Sequence, residues 1–336
     1  MSQNAHERIG LDVGTSRVVM ARGVPGDYRF ASQLNAFLSL PYSKLTCGVL
    51  EKENIPSTVA GDQILVYGDA AERFADVLHV ETRRPMREGT LNPEEPDGPA
   101  VVRSIIELLA GGGQNSGARI CYTVPAPPLG CDESPKFHQA ALAQLLGELG
   151  YKARSLEEGL AVVYSELEDS NYTGIGISCG AGLSNVCLAY LSVPVVSFSL
   201  PRAGDQVDAG AARAANEVAT RVRLLKEQYF SLNGQHGATT LPPKLNQALK
   251  VYYEDLIQAL VQAMREAFQQ RSLPRIDRPI PLVLAGGSTL PTGFRERFEQ
   301  AIRQTDFPLH ISQVRLASEP LHATAKGALV AALADM

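Results

Sequence analysis

The sequence predicts an α/β protein built from two related halves. Three observations carry that prediction: two β-hairpin signatures roughly half a chain apart, strand and helix signals that alternate, and a late strand running through paired glycines into a helix. Ile9 to Val13 is an apolar, β-rich run, Gly14-Thr15-Ser16 is a turn of small residues, and Arg17 to Met20 is a second β-rich run. Residues 38–69 read as a polar, loop-rich insertion with one short strand, Ile64-Leu65-Val66-Tyr67. The spacing of Val101, Val102, Ile105, Ile106, Leu108 and Leu109 predicts an amphipathic helix over 100–109, closed by a loop at 111–117. A short buried strand follows at 119–124, stopped by Pro125, Pro127 and Pro128, and helical spacing over 136–150 ends at Gly150.

The second hairpin runs from Gly174 to Tyr190, with Gly180-Ala181-Gly182-Leu183-Ser184 at its tip. Its sequence is unlike the first, but the grammar is the same. Long helices are predicted over 209–229 and 244–270, separated by a Gly/Pro loop at 234–243. In the second of them, Leu245, Leu249, Tyr252, Leu256, Leu260, Ala263 and Ala267 form one core-facing stripe. Residues 279–285 read as a buried strand, Gly286-Gly287 as a turn, 294–302 as a helix and 323–334 as an Ala-rich terminal helix.

Composition narrows the class. A length of 336 residues fits about two domains, and a net charge of −5 supplies no basic excess for a phosphate backbone, so no nucleic acid is expected. With 45% apolar and 20% charged residues, disorder is excluded. The apolar run Val193 to Leu200 is far shorter than the roughly 20 residues of a membrane span, and the amino terminus lacks the apolar core of a secretory signal. A cytoplasmic location with no direct membrane anchor is expected. The cysteines Cys47, Cys121, Cys131, Cys179 and Cys187 are widely spaced and suggest neither disulfides nor zinc, and the scattered histidines make no ligand spacing.

The chemistry concentrates at the turns. Gly112 and Gly117 have the spacing of a Walker loop, but Ala118-Arg119 stand where Lys and Ser or Thr are required. Turns of Gly, Ser and Thr let backbone N–H groups approach an anion closely, so Gly14, Thr15 and Ser16 together with Gly180, Ala181, Gly182, Leu183 and Ser184 are candidate phosphate clamps. The competing reading of each alone is an ordinary tight hairpin. Asp12 lies in an otherwise apolar strand two residues before its turn, where a carboxylate needs a partner such as hydrated magnesium. In Leu282-Val283-Leu284-Ala285-Gly286-Gly287-Ser288-Thr289 the glycines allow a flat ring or sugar to lie against the backbone near a helix start.

Taken in series, these segments resemble the actin and heat-shock-chaperone ATPase superfamily, and within it the bacterial actins of the MreB and MamK kind. Asp12 to Ser16 resembles the first phosphate motif, Glu158 to Tyr164 the connecting helix, Ser178 to Gly182 the second phosphate motif and Gly286 to Thr289 the adenosine motif. Further matches are Arg84 to Gly89, Ala203-Gly204-Asp205, Lys226-Glu227, Glu319-Pro320-Leu321 and Ala325-Lys326-Gly327. The resemblance implies two lobes, each built on a duplicated ribonuclease-H-like domain. Lobe I would comprise 1–150 and 310–336 with a small insert at about 32–75, and lobe II 151–309 with a helical insert at about 207–270. ATP or GTP with magnesium would occupy the cleft between them.

By the same resemblance, Asp12 would hold the metal through water, and Gly204 and Asp205 would approach sugar and phosphates. Arg223, Lys226, Glu227, Gly286, Gly287, Ser288 and Thr289 would enclose the adenosine, and Glu158 would orient the attacking water. One departure matters: Ser178 stands where the family's second phosphate motif usually has Asp, so slow hydrolysis is expected, although Asp12 and Glu158 could suffice for normal turnover. The implied activity is assembly into cytoskeletal filaments as a head-to-tail homopolymer, with a protein adaptor as a further partner. The alternatives are a nonpolymerising, nucleotide-gated adaptor and, ranked last, a small-molecule kinase.

Overall fold

The computed structural model describes residues 7–111, 117–131, 135–234, 241–271 and 273–334. The expected loop segments at 112–116 and 235–240 lie outside them. The chain divides into two compact units: one of 1–124, 135–156 and 328–336, the other of 125–134 and 157–327.

The first unit begins with β1 (Arg8–Val13), β2 (Arg17–Val24) and β3 (Asp27–Leu34). An inserted layer follows: β4 (Phe37–Pro41), α1 (Lys44–Lys52), β5 (Ser57–Ala60), β6 (Gln63–Tyr67) and α2 (Asp69–Leu78). The short hairpin β7 (Met86–Arg87) and β8 (Thr90–Leu91) leads to α3 (Gly98–Ala110), β9 (Arg119–Val124), α4 (Lys136–Glu148) and β10 (Lys152–Glu157). The main sheet has the order β10-β9-β1-β2-β3, with β1 antiparallel to β2 and parallel to β9. Its apolar strands pack against Val101, Val102, Ile105 and Ile106 of α3 and Leu142 and Leu146 of α4. The insert is more ordered than its polar sequence predicts. It forms a three-stranded sheet, β4-β6-β5, and α1 starts where the Ser43 hydroxyl accepts the Thr46 N–H at 3.4 Å.

The second unit holds α5 (Glu158–Glu166), β11 (Gly174–Cys179), β12 (Ser184–Tyr190), β13 (Val193–Leu200), α6 (Gly204–Ala215), α7 (Ala219–Tyr229) and α8 (Pro243–Gln270). It continues with β14 (Ile280–Ala285), α9 (Phe294–Gln304), β15 (Ile311–Leu316) and the start of α10 (Ala323–Leu333). Its sheet, β13-β12-β11-β14-β15, repeats the first: an antiparallel meander whose first strand pairs parallel with a later one. The fold class predicted from sequence is the one observed.

Two expectations need correction and one needs extension. The single helix over 209–229 is two, because Asn216 adopts a left-handed conformation (φ 57°) that caps α6. In α8 the stripe includes Tyr253 beside the half-buried Tyr252: the Tyr253 ring is fully buried, stacks on Phe230 at 5.2 Å and meets Phe294 edge-on, while Tyr252 packs against the same core. Residues 311–316, expected in the first lobe, pair with β14 and complete the second sheet.

All five cysteines are free, and burial pushes the Cys179 and Cys187 thiols up to about 12. Among the described residues no helix is long and apolar enough to cross a membrane.

The second unit is fastened at the end of α5. The Glu166 carboxylate, only 4% exposed, accepts from Arg315 Nη1 at 2.9 Å and from the Ser318 N–H at 3.0 Å and hydroxyl at 2.8 Å, with Lys326 Nζ at 3.2 Å. Burial raises its pKa, but the Arg315 and Ser318 hydrogen bonds and the Lys326 charge outweigh that and lower it from 4.5 to about 2. A depressed carboxylate pKa stabilises the fold above the unfolded value and is lost as pH falls through the folded one. Glu166→Gln is therefore expected to lower stability at pH 7 by about 3 kcal/mol and to flatten the acid-induced loss between about pH 4.5 and 2. Urea unfolding across that range checks both effects.

Candidate functional site

At the first hairpin, Asp12 is the penultimate residue of β1 and interrupts its apolar run from Ile9 to Val13. One step beyond the Leu11–Tyr122 pair in the parallel ladder stands Thr123, whose hydroxyl donates to Asp12 Oδ1 at 2.5 Å. The tip closes by a Gly14 N–H to Arg17 O bond of 2.9 Å. Asn35, fully buried, backs the tip: its Nδ2 donates to Gly14 O at 2.8 Å and its backbone N–H to Ser16 O at 2.9 Å. Thr15 is buried too, and its hydroxyl accepts the Gly89 N–H at 3.0 Å. Gly89 lies in the β7–β8 turn, where Glu88 and Gly89 both have positive φ, as a two-residue hairpin turn requires. The far side of that hairpin is held by His138, whose Nδ1 accepts the Leu91 N–H at 3.3 Å. Burial lowers the His138 pKa to about 4, so at neutral pH the ring is uncharged and able to accept.

The second hairpin repeats this construction. Its tip closes by a Gly180 N–H to Leu183 O bond of 3.0 Å, and Ser178 pairs with Asn185 across the ladder as Asp12 pairs with Val19. Ser178 is thus the counterpart of Asp12. Its hydroxyl donates to Glu158 Oε2 at 3.0 Å. That contact depends on α5 lying close over β11: a Cβ at Gly176 would come within 2.4 Å of Gly159 O.

Two further predicted segments converge on the same tip, and a third backs one of them. Gly180 O accepts both the Gly204 N–H at 3.2 Å and the Ser288 hydroxyl at 2.7 Å, while the Asp205 N–H donates to Ala181 O at 2.8 Å. Gly286, at φ 92°, passes so near β11 that a Cβ would lie 2.2 Å from Cys179 O, and its N–H donates to Pro320 O at 2.8 Å. Gly182 and Leu183 are half-buried at the tip, and Gly287 is exposed.

Some predicted residues are engaged with internal partners. Ser184 and Thr289 are fully buried, with hydroxyls donating to Arg202 O at 2.6 Å and Gly286 O at 2.8 Å. Lys226, expected beside the adenosine, is paired with Asp208, its ammonium 2.9 Å from the carboxylate and 9% exposed. Burial raises the Asp208 pKa against the pull of Lys226. On the same helix, Arg223 is half-buried and Glu227 exposed. Sequence reasoning missed Thr123, Asn35, His138 and Asp208. Of these, Thr123 carried the same signal as Asp12, a polar residue near the end of an apolar strand.

A family model described as Volactin matches residues 8–332. The chain belongs to the Volactin family. Among solved structures, this Volactin-family chain is similar to the MamK double helical filament, with TM-score 0.71, 19% identity and coverage of 98% of each chain. A non-polymerising MamK mutant bound to AMPPNP is similar at TM-score 0.61 and 18% identity, covering 98% of this chain and 99% of that one. The ethanolamine utilization protein EutJ from Carboxydothermus hydrogenoformans follows at 0.55 and 14%, covering 96% and 89%. No curated protein matches the sequence. The fold is the actin-like one that these solved structures share.

The Lys226–Asp208 pair yields a direct check. Lys226→Met leaves a buried carboxylate uncompensated and is expected to cost about 3–5 kcal/mol, most of it recovered by adding Asp208→Leu, whereas Glu227→Ala changes stability by less than about 0.5 kcal/mol. Denaturant unfolding of the three variants gives the comparison.

Proposed function

We propose that this chain binds a purine nucleoside triphosphate, ATP or GTP, with magnesium, and that the bound nucleotide governs its assembly into a head-to-tail homopolymer. The observation that carries the reading is the pair of hairpin tips closed by the same backbone hydrogen bond, Gly14 to Arg17 and Gly180 to Leu183. The second tip is joined by the Gly204 and Ser288 donors. In this reading Gly14, Thr15, Ser16 and residues 180–184 form the phosphate loops. Gly204 and Asp205 lie by the sugar, and Arg223, Glu227, Gly286 and Gly287 by the adenosine.

The donor set suits magnesium. Among the described residues no three His, Cys, Asp or Glu gather into a metal-binding group. Magnesium needs none: it keeps several waters and is held by one or two carboxylates together with substrate phosphates. Asp12 would hold it through water, and the metal would neutralise charge on the phosphates.

Glu158 would orient the attacking water. Ser178 supplies a hydroxyl to that carboxylate but no second negative charge, so turnover is slow. Ser178→Asp is expected to raise magnesium-dependent ATP hydrolysis, and an unchanged or lower rate counts against the assignment.

The structures of MamK, one a filament and one bound to AMPPNP, support the reading by likeness of fold. Calorimetry with ATP and GTP tests binding, and sedimentation with and without nucleotide tests assembly. Pelleting only with triphosphate is the expected result. Tight binding without pelleting would favour a nucleotide-gated adaptor in the cytoplasm, and no binding of either nucleotide would overturn the proposal.

A further inference from the structure

Each half pairs a hydroxyl with a carboxylate near the end of its central strand, but draws the two groups from different elements. In the first half the carboxylate is on the central strand and the hydroxyl on its parallel neighbour, Asp12 on β1 and Thr123 on β9, 2.5 Å apart. In the second half the central strand carries the hydroxyl, Ser178. Ala285, its ladder partner on β14, stands where Thr123 stands in the first half and has no donor. The carboxylate there, Glu158, arrives from α5.

We propose that Thr123 is a positioning residue for Asp12, fixing the carboxylate through Oδ1 in the orientation that holds hydrated magnesium beside the phosphates. This rests on the nucleotide reading above. A β-branched side chain has few rotamers, so the direction of the hydroxyl donor is set by the strand that carries it. Thr123 is 2% exposed, and its hydroxyl meets Asp12 where β1 ends, two residues before the tip glycine. Nothing in the packing of a strand interior calls for a hydroxyl there, since Val would fill the same space. The donor is explained by what it holds.

The test uses the full chain. Affinity for ATP is measured by calorimetry with magnesium and with a chelator, for the wild type, Thr123→Val, Thr123→Ala and Thr123→Ser, alongside melting temperatures. Removing one hydrogen bond to a charged group is expected to cut the magnesium-dependent gain in affinity about tenfold in the Val and Ala variants, equivalent to about 1.4 kcal/mol. Their metal-free affinity stays within about twofold of wild type, and the Ser variant keeps the gain. A Val or Ala variant with the full wild-type gain overturns the proposal. So does equal weakening with and without magnesium accompanied by a lowered melting temperature, the mark of a purely structural role. A wild type that binds no ATP under either condition defeats the nucleotide reading and this proposal with it, whereas binding with an unaltered gain in the variants defeats only the latter.

Discussion

A polar group at the end of a buried central strand must be held by a partner, and the whole site follows from how each half meets that demand. The central strands β1 and β11 are almost entirely apolar, as strands covered on both faces are, until Asp12 and Ser178 near their ends. Asp12 is held from the neighbouring strand by Thr123, while Ser178 is itself the holder, of Glu158. Glu158 opens α5, where the aligned peptide dipoles favour a negative charge. The first half therefore keeps its carboxylate on the sheet and the second brings it in on a helix.

Most of the fold was legible because its strongest elements announce themselves by periodicity. The apolar runs at 9–13, 119–124 and 280–285 are strands, and the i, i+3, i+4 spacing of α3 and α8 marks helices. The elements that escaped are the ones whose pattern is diluted. The half-exposed strands β3, β10 and β15 mix polar and apolar residues without clean alternation. The split between α6 and α7 turns on the backbone of a single Asn, and the insert is organised by a small core of Leu38, Leu50, Ile64, Val66, Ala70 and Ala75, contributed by several short segments rather than by one long apolar stripe.

The site was legible as an ordered series of turns, but not as a division of labour. Ser184, Thr289 and Thr15 have the hydroxyls that a phosphate loop invites, yet the first two are used internally and the third accepts from the β7–β8 turn. Whether a hydroxyl faces a ligand or a carbonyl is decided by segments far away in sequence, such as Gly89 for Thr15 and Arg202 for Ser184. Lys226 shows the same limit for charge, since its partner Asp208 sits on a different helix. Thr123 was passed over for another reason: it is polar near the end of an apolar strand, but a β-branched residue there needs no explanation until its neighbour is known.

The helix α5 links the stability of the second unit to its chemistry. It is nine residues long, about 13 Å at 1.5 Å per residue, and it carries a carboxylate at each end. Glu166 at the carboxyl end is gripped by Arg315, Ser318 and Lys326, and Glu158 at the amino end accepts from Ser178. Between them the helix lies against β11 with no room for a side chain at Gly176. A group on a loop would owe its position to contacts that can rearrange, but Glu158 owes its position to a helix pinned at its far end and pressed along its length. The ion cluster around Glu166 thus acts on the site by keeping that helix in place.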